Sequence, residues 1–364
     1  MAHIETQHDA ADEAGVAQPL GGKVVVTGAT GMLGGEVALQ LARAGCKEIV
    51  LPVRNLARLA ALKARMEAEG LDIRALRPME VSLSCPDDMR EALRGASALL
   101  HCAAMVDFGD RDNGMVAGNV GITSTLVDAA LECKIGIMVH VSSIATLGEA
   151  DPPGSPITER TPLQSLDGQP PYTVSKFLAE QQVRRGMEQG LRTVVVMPSV
   201  ILGCGDWNGR GSSAIVKIIA SGIPFYPAGM TGFVDVCDVA RAMIALAGCE
   251  KAVGESFLLN GANAGFRELM SLAAEAAGKR PPRWKAGKGL LLGFRGFEKA
   301  LSVFGYTPQL SRLAIEYAAS TTRYDGSKIK RYIDFEYTSL RQTVRRVVKA
   351  YLDDKGCGDS GGRG

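Results

Sequence analysis

Histidine is scarce in this chain. There are four among 364 residues, and His3 and His8 lie in a polar leader. That leaves His101 and His140, both inside apolar, strand-like runs (ALLHCAA and MVHVSS), where the plain reading is a core histidine with satisfied nitrogens. A histidine-based triad or a histidine-rich zinc site has too few parts, so acid–base chemistry must use another side chain. Cysteine offers no framework either. The eight cysteines, at 46, 85, 102, 133, 204, 237, 249 and 357, are scattered without a CxxC pair, which fits free thiols in a reducing compartment. No charge is in surplus: 41 Lys and Arg stand against 39 Asp and Glu, so nothing argues for nucleic acid as a partner. No apolar run reaches the roughly 18 residues that a membrane span needs. The leader MAHIETQHDAADEAG carries acids and no apolar core, unlike a secretory signal. A cytoplasmic protein without a membrane span is the expectation.

What the chain does have is alternation. From residue 21 to about 200, short β-branched runs (KVVVTG, EIVLPV, ASALLHCAA, GIMVHVSS, RTVVVMP) are separated by amphipathic stretches such as GEVALQLARAG and NVGITSTLVDAALE. Near-continuous apolar strands joined by helices indicate a parallel sheet covered on both faces, a doubly wound α/β arrangement. After Val200, turns rich in Gly and Pro precede a strand-to-helix unit, FVDVCDVARAMIALA, and a short strand, SFLLN. Helical patterns then dominate. The expected organisation is a domain over 21–200, to which 232–260 returns. A smaller, mainly helical C-terminal lobe follows over 201–231 and 261–355. Residues 1–20 and 356–364 have no means of forming a core.

The stretch TGATGMLGG follows the first strand. A strand, a glycine-rich turn and a helix start together make an anion site, because backbone N–H groups and the helix dipole converge there. In that reading Gly28 allows the tight turn, Gly31 a close phosphate approach and Gly34 close helix packing, with Thr27, Thr30, Met32 and Leu33 around them. The spacing is GxxGxxG rather than GxGxxG, and a plain turn would also use glycine. At the end of the second strand, Leu51-Pro52-Val53-Arg54-Asn55 offers no carboxylate for a ribose 2′-hydroxyl. Arg54 and Arg58 suit a 2′-phosphate, which favours NADP(H) with NAD(H) possible. The plain alternative is a pair of solvated surface arginines.

YxxxK occurs three times. Tyr324/Lys328 has a glycine between its members and reads as a turn, and Tyr351/Lys355 closes the last helix; both read as structural. Tyr172/Lys176 follows Pro170-Pro171 and opens a helical pattern, so the two side chains share one face. A free phenol, with a pKa of about 10, is a poor proton carrier at neutral pH, and a neighbouring ammonium would draw it down. A hydroxyl at the end of the strand HVSS, Ser143 or Ser142, would complete the set.

In order along the chain, TGATGMLG, HCAA, NVGITSTL, HVSSIATLG, PYTVSK and FVDVCDVARA resemble the motifs of the extended short-chain dehydrogenase/reductases, within the NAD-dependent epimerase/dehydratase superfamily. MPSVILGCGDWNGRGS looks most like the branch holding dihydroflavonol 4-reductase and the 3β-hydroxysteroid dehydrogenases. The resemblance covers about residues 22–350. It implies a Rossmann fold, Tyr172 as general acid–base, and Lys176 lowering its pKa and holding the ribose. It implies Ser143 orienting the carbonyl, with Ser142 the alternative, and Asn119 anchoring its helix. Ala103 and Ala104 would line the cofactor, Ser82 and Leu83 would lie at the adenine end, and Pro198, Ser199 and Val200 beside the nicotinamide. Ser82 stands where the family often has aspartate. Leu147 replaces a common tyrosine, and MPSVILG replaces RPxNVYG, which counts against a nucleotide sugar. Cys204 and Cys237 sit inside matching motifs without a chemical role.

The expectation is an oxidoreductase moving a hydride between nicotinamide and a carbonyl or secondary alcohol of a small apolar substrate of flavonoid or steroid type. Phe225, Tyr226, Phe233, Trp284, Phe294 and Phe297 are candidate lining residues. Two other readings stay open: a nucleotide-sugar epimerase or dehydratase with bound NAD, using Arg210, Arg267 or Arg283, and a non-catalytic cofactor sensor. No metal is expected, and a homodimer is implied by resemblance.

Overall fold

The computed structural model describes residues 20–107, 112–204, 224–287, 289–290, 292–293, 315 and 318–360. Six strands in succession, β1 (Lys23–Thr27), β2 (Glu48–Val53), β3 (Leu76–Glu80), β4 (Ala96–His101), β5 (Ile137–Val141) and β6 (Thr193–Pro198), join a later strand, β10 (Ser256–Leu259), in one sheet. Every pairing is parallel, in the order β10-β6-β5-β4-β1-β2-β3. The order reverses at β1, whose neighbours are β2 and β4, and a crevice opens at such a switch point beyond the carboxyl ends of the strands.

The unbroken apolar strands are explained by burial on both faces. Val24 and Val26 point into one layer and Val25 into the other. The first layer is built by α1 (Met32–Arg43), α2 (Ala60–Ala68) and α6 (Val236–Ala247), through Val37, Leu41, Met66, Val239 and Met243. The second is built by α3 (Pro86–Leu93), α4 (Met115–Glu132) and α5 (Pro171–Glu188), through Met89, Leu126, Val127 and Val183. SFLLN supplies the seventh strand, and α6 packs along α1, so this later stretch belongs to the main sheet.

The smaller part carries helices α7 (Phe266–Ala276) and α8 (Leu340–Ser360), and also two small sheets. One has the order β11 (Ala262–Gly265), β9 (Met230–Asp235), β7 (Val200–Leu202); the other pairs β8 (Phe225–Pro227) with β12 (Trp284–Ala286). These strands are three to six residues long, too short to show a period among the glycines and prolines around them. Leu202, Phe233, Leu269, Met270, Val344 and Val348 form their core. Asp235 ties the parts together: it caps α6 at Cys237 N (2.8 Å) and accepts from Thr343 (2.7 Å) and Arg346 (2.5 Å) of α8. Helix α8 continues to Ser360, into the glycine-rich stretch expected to lack structure. No helix of the described residues is long and apolar enough to cross a membrane.

Candidate active site

The glycine loop leaves β1 and turns at Gly28, whose φ of 75° lies in the left-handed region. A Cβ there would also come within 2.8 Å of Ala103 N, because the segment after β4 crosses directly over it. Gly31 is the exposed N-cap of α1, and its N–H donates to Gly28 O at 2.9 Å. At Gly34 a Cβ would lie 2.3 Å from Gly28 O, so only glycine lets the helix sit this close to the loop. No side chain caps α1 and no acid occupies its first turn, so its N–H groups are left for an anion. Thr30, Met32 and Leu33 are half-buried around that point. Thr27 needs correcting as a contact residue. It has no exposed surface, and its hydroxyl is engaged with His101 Nδ1 (2.8 Å) and Ala103 N (3.2 Å).

At the end of β2, Arg54 and Arg58 are exposed, and among the described residues neither side chain has a hydrogen-bond or ion-pair partner. Asn55 caps the short turn between them by accepting from Ala57 N (2.8 Å), which holds the two arginines on one outward loop. At the end of β3, Ser82 is exposed and its N–H donates to Asp88 Oδ2 (3.0 Å), while Leu83 packs on the α3–α4 layer.

The strand alternation of β5 separates the two serines. Ser142 turns into the core and donates to Glu180 Oε2 at 2.6 Å. Ser143 accepts from Ala145 N (3.2 Å), and its hydroxyl lies beside the Tyr172 phenol. Pro171 opens α5, and Tyr172, half-buried, sits one turn before the buried Lys176. Burial pushes the Tyr172 phenol above its ordinary range, and the Ser143 hydroxyl beside it works against that. The sequence expectation that Lys176 draws the phenol down is not met in this arrangement. Lys176 Nζ instead donates to Val141 O at 2.6 Å.

Burial lowers the Lys176 pKa to about 8, with Glu180 and Cys102 pulling the other way. Between about pH 8 and about pH 10.5 the unfolded lysine holds a proton the folded one has lost, so its contribution to stability rises with pH there. The Cys102 thiol, pushed up to about 12 by burial, acts oppositely because the unfolded thiol ionises first. Urea denaturation of wild type and Lys176→Met near pH 7.5 and near pH 10 isolates the lysine. Wild type should gain on the variant at the higher pH; a constant difference would contradict the burial.

Asn119, buried on α4, holds both backbone groups of Met105: Oδ1 accepts from Met105 N (2.7 Å) and Nδ2 donates to Met105 O (2.9 Å). Nδ2 also reaches Ser175 Oγ (3.2 Å), so Asn119 ties the 103–105 segment, with half-buried Ala103 and Ala104, to α5. Met105 and Val106, which follow, are exposed apolar side chains. Pro198 and Ser199 are buried at the end of β6, and half-buried Val200 pairs with Phe233. Among the described residues Ser199 Oγ and Asn260 Oδ1 have no hydrogen-bond partner, and both residues crowd Gly232, where a Cβ would meet Asn260 Oδ1 at 2.3 Å and Ser199 Cβ at 3.0 Å.

Of the remaining candidates among the described residues, Phe225, Tyr226, Arg267, Arg283 and Trp284 lie around the β8–β12 pair. Phe233 is core, whereas Phe225 and Trp284 are exposed and meet in a tilted ring contact (5.4 Å between centroids). Arg267 lies over Tyr226, Arg283 is exposed, and Arg210, Phe294 and Phe297 lie outside the described residues. Tyr324 is buried, and Lys328 pairs with Glu255 (2.7 Å), as their structural reading requires. Burial pushes the Cys204 and Cys237 thiols up, which makes them unreactive. Among the described residues no cluster could hold a metal ion. Sequence reasoning missed Glu180, a buried carboxylate between Ser142 and Arg184 (2.7 Å); an acid four residues after Lys176 on a helix was the available signal.

A family profile described as NAD dependent epimerase/dehydratase family matches residues 24–259. A putative dihydroflavonol 4-reductase of Synechocystis is 24% identical over 330 residues, covering 89% of this chain and 92% of its own. Sterol demethylase protein B of Methylococcus capsulatus is 26% identical, covering 91% and 98%. The crystal structure of gox2253 superposes with a TM-score of 0.74 at 28% identity, over 91% of this chain and 98% of that one. With a matched profile that runs from β1 through β10, the chain belongs to the NAD dependent epimerase/dehydratase family and is an NAD(P)-dependent enzyme acting on CH–OH groups.

Proposed function

We propose that the protein is an NADP(H)-dependent reductase or dehydrogenase of a small apolar ring ketone or its secondary alcohol. The observation that carries this is the Ser143–Tyr172 hydroxyl pair at the carboxyl end of β5, with Lys176 one helical turn beneath. The cradle fits a nicotinamide dinucleotide: an uncapped, acid-free helix start for the pyrophosphate, and a glycine surface that any Cβ would fill. Gly28, Thr30, Gly31, Met32, Leu33 and Gly34 would hold the pyrophosphate, and Ser82 and Leu83 the adenine. Ala103 and Ala104 would line the middle, with Pro198, Ser199 and Val200 at the nicotinamide, where the Ser199 hydroxyl, without a partner among the described residues, is free to bond an amide. When bound, the cofactor supplies or removes the hydride.

The chain does the rest. Ser143 holds the carbonyl oxygen, and Tyr172 moves the proton to or from it. Lys176 is already partly desolvated and close to its own titration near neutral pH, so a ribose hydroxyl can compete with Val141 O for its ammonium. The sterol and dihydroflavonol names of the relatives support an apolar ring substrate here. In a thermal-shift assay with NADPH present, ring ketones should raise the melting temperature and sugar nucleotides should not. Stabilisation by a sugar nucleotide alone would favour the epimerase reading. A homodimer through α4 and α5 belongs to the proposal and is checked by light scattering.

The 2′-phosphate assignment has its own test. Arg54 is exposed and has no side-chain partner among the described residues, so Arg54→Asp should leave the fold intact and shift the NADPH/NADH affinity ratio about 100-fold towards NADH. An unchanged ratio by calorimetry would remove Arg54 from the site.

A further inference from the structure

His101 is buried to 1% exposure at the last position of β4, directly opposite His140 of β5. Their rings lie 5.2 Å apart, and among the described residues neither nitrogen of His140 has a polar partner. His101 differs: both of its nitrogens are engaged, and the direction of each bond can be assigned. Thr123 Oγ1 lies 2.9 Å from the backbone carbonyl of Asn119, which can only accept, so the Thr123 proton is committed there. Thr123 therefore accepts from His101 Nε2–H (3.2 Å). In a neutral ring that leaves Nδ1 bare, and it accepts the Thr27 hydroxyl proton at 2.8 Å. Thr27 Oγ1 is then free to accept from the N–H of Ala103, as it does at 3.2 Å. The chain Ala103 N–H to Thr27 to His101 to Thr123 to Asn119 C=O runs with one polarity, and no donor or acceptor in it is left over.

Each end of this chain touches the site. Ala103 crosses over Gly28 at the distance a Cβ would occupy, so its position sets the floor of the glycine loop. Asn119 holds the Met105 backbone and Ser175, next to Lys176. We propose that His101 is a positioning residue of the cofactor site, locked as the neutral Nε2–H tautomer by Thr123 of helix α4, which fixes the Thr27 hydroxyl and through it holds the Ala103 segment against the glycine-loop strand. A cationic ring would give Thr27 two donors and orphan its own proton in a buried place, beside His140, Cys102 and the Lys176 ammonium. Consistently, burial and then Lys176 hold the His101 pKa down at about 3.

Three variants divide the arms. His101→Asn carries an amide only to the depth of Nδ1, so it can accept from Thr27 but not reach Thr123. His101→Gln reaches the depth of Nε2 and can donate to Thr123, leaving Thr27 without its acceptor. His101→Leu removes both. The inference rests on the cofactor reading only for its affinity arm. By calorimetry with NADPH, His101→Asn should stay within about threefold of wild type, whereas His101→Gln and His101→Leu should weaken by about tenfold. Hydrogen exchange of the Ala103 amide, read by NMR without cofactor, should quicken by a similar factor of about ten in those two variants alone. In wild type, long-range 1H–15N correlation should show Nε2 protonated and Nδ1 bare, with no titration above about pH 5. An Nδ1–H tautomer, or Asn and Gln variants alike in Ala103 exchange, would overturn the inference. If wild type bound neither NADPH nor NADH, the cofactor reading would fail, and the tautomer and exchange results would still decide the role of His101.

Discussion

Tyr172→Phe is expected to lower kcat by about 10²–10⁴-fold, the span that removing a positioned acid–base group produces. Cofactor affinity and melting temperature should barely change. The reason is local. The phenol is half-buried, and the substitution keeps its ring against the start of α5 while removing only the oxygen that lies beside Ser143. Ser143 retains its bond to Ala145 N, so its position is kept. The loss then falls on the proton transfer and not on the fold. Initial rates and NADPH calorimetry on the same preparation check this; a rate within about threefold of wild type would remove Tyr172 from the acid–base role.

The second large effect separates two glycines three residues apart. Gly34→Ala forces a Cβ to 2.3 Å from Gly28 O and 2.5 Å from Gly28 C, both backbone atoms that cannot rotate aside. Helix α1 must move off the loop, which costs about 1–3 kcal/mol in stability, and the N–H groups at the helix start move with it. NADPH affinity should fall by at least about tenfold. At Gly31 the nearest atom would be Gly28 O at 3.3 Å, and the residue is exposed. Gly31→Ala should therefore keep most of the stability and still lose affinity, because its methyl group stands where the phosphate approaches. Chemical denaturation paired with calorimetry tells them apart. Equal melting temperatures for both variants would contradict the close packing at Gly34.

Much of this was legible in the residues. The strand–glycine–helix junction at 23–43 declares itself through KVVVTG and the amphipathic run after it, because an apolar strand and a period-3.6 helix leave different patterns. Tyr172 and Lys176 were legible as a helical pair for the same reason. Strand pattern alone does not separate Ser142 from Ser143, because both sides of β5 are apolar; the preference for Ser143 comes from the resemblance. The small strands β7, β8 and β12, three residues each, carry too little pattern to be read. The plain reading of a core histidine with satisfied nitrogens fits His101 and not His140, whose nitrogens have no partner among the described residues. What no sequence pattern could give is the partners of His101, since Thr27 lies 74 positions away and only the register of β1 with β4 brings them together. Spacing gives the proximity of Tyr172 to Lys176 but not the burial that pushes the phenol up, which is a property of the whole fold.

The account rests on net reduction at the Ser143–Tyr172 pair. The direct measurement follows absorbance at the reduced-nicotinamide band when purified protein, NADPH and a panel of steroid and flavonoid ring ketones are mixed, with product counted by mass spectrometry. One ketone reduced for each NADPH consumed, lost in Tyr172→Phe, is the expected result. Protein that carries tightly bound NAD, consumes no NADPH and interconverts a sugar nucleotide would contradict it.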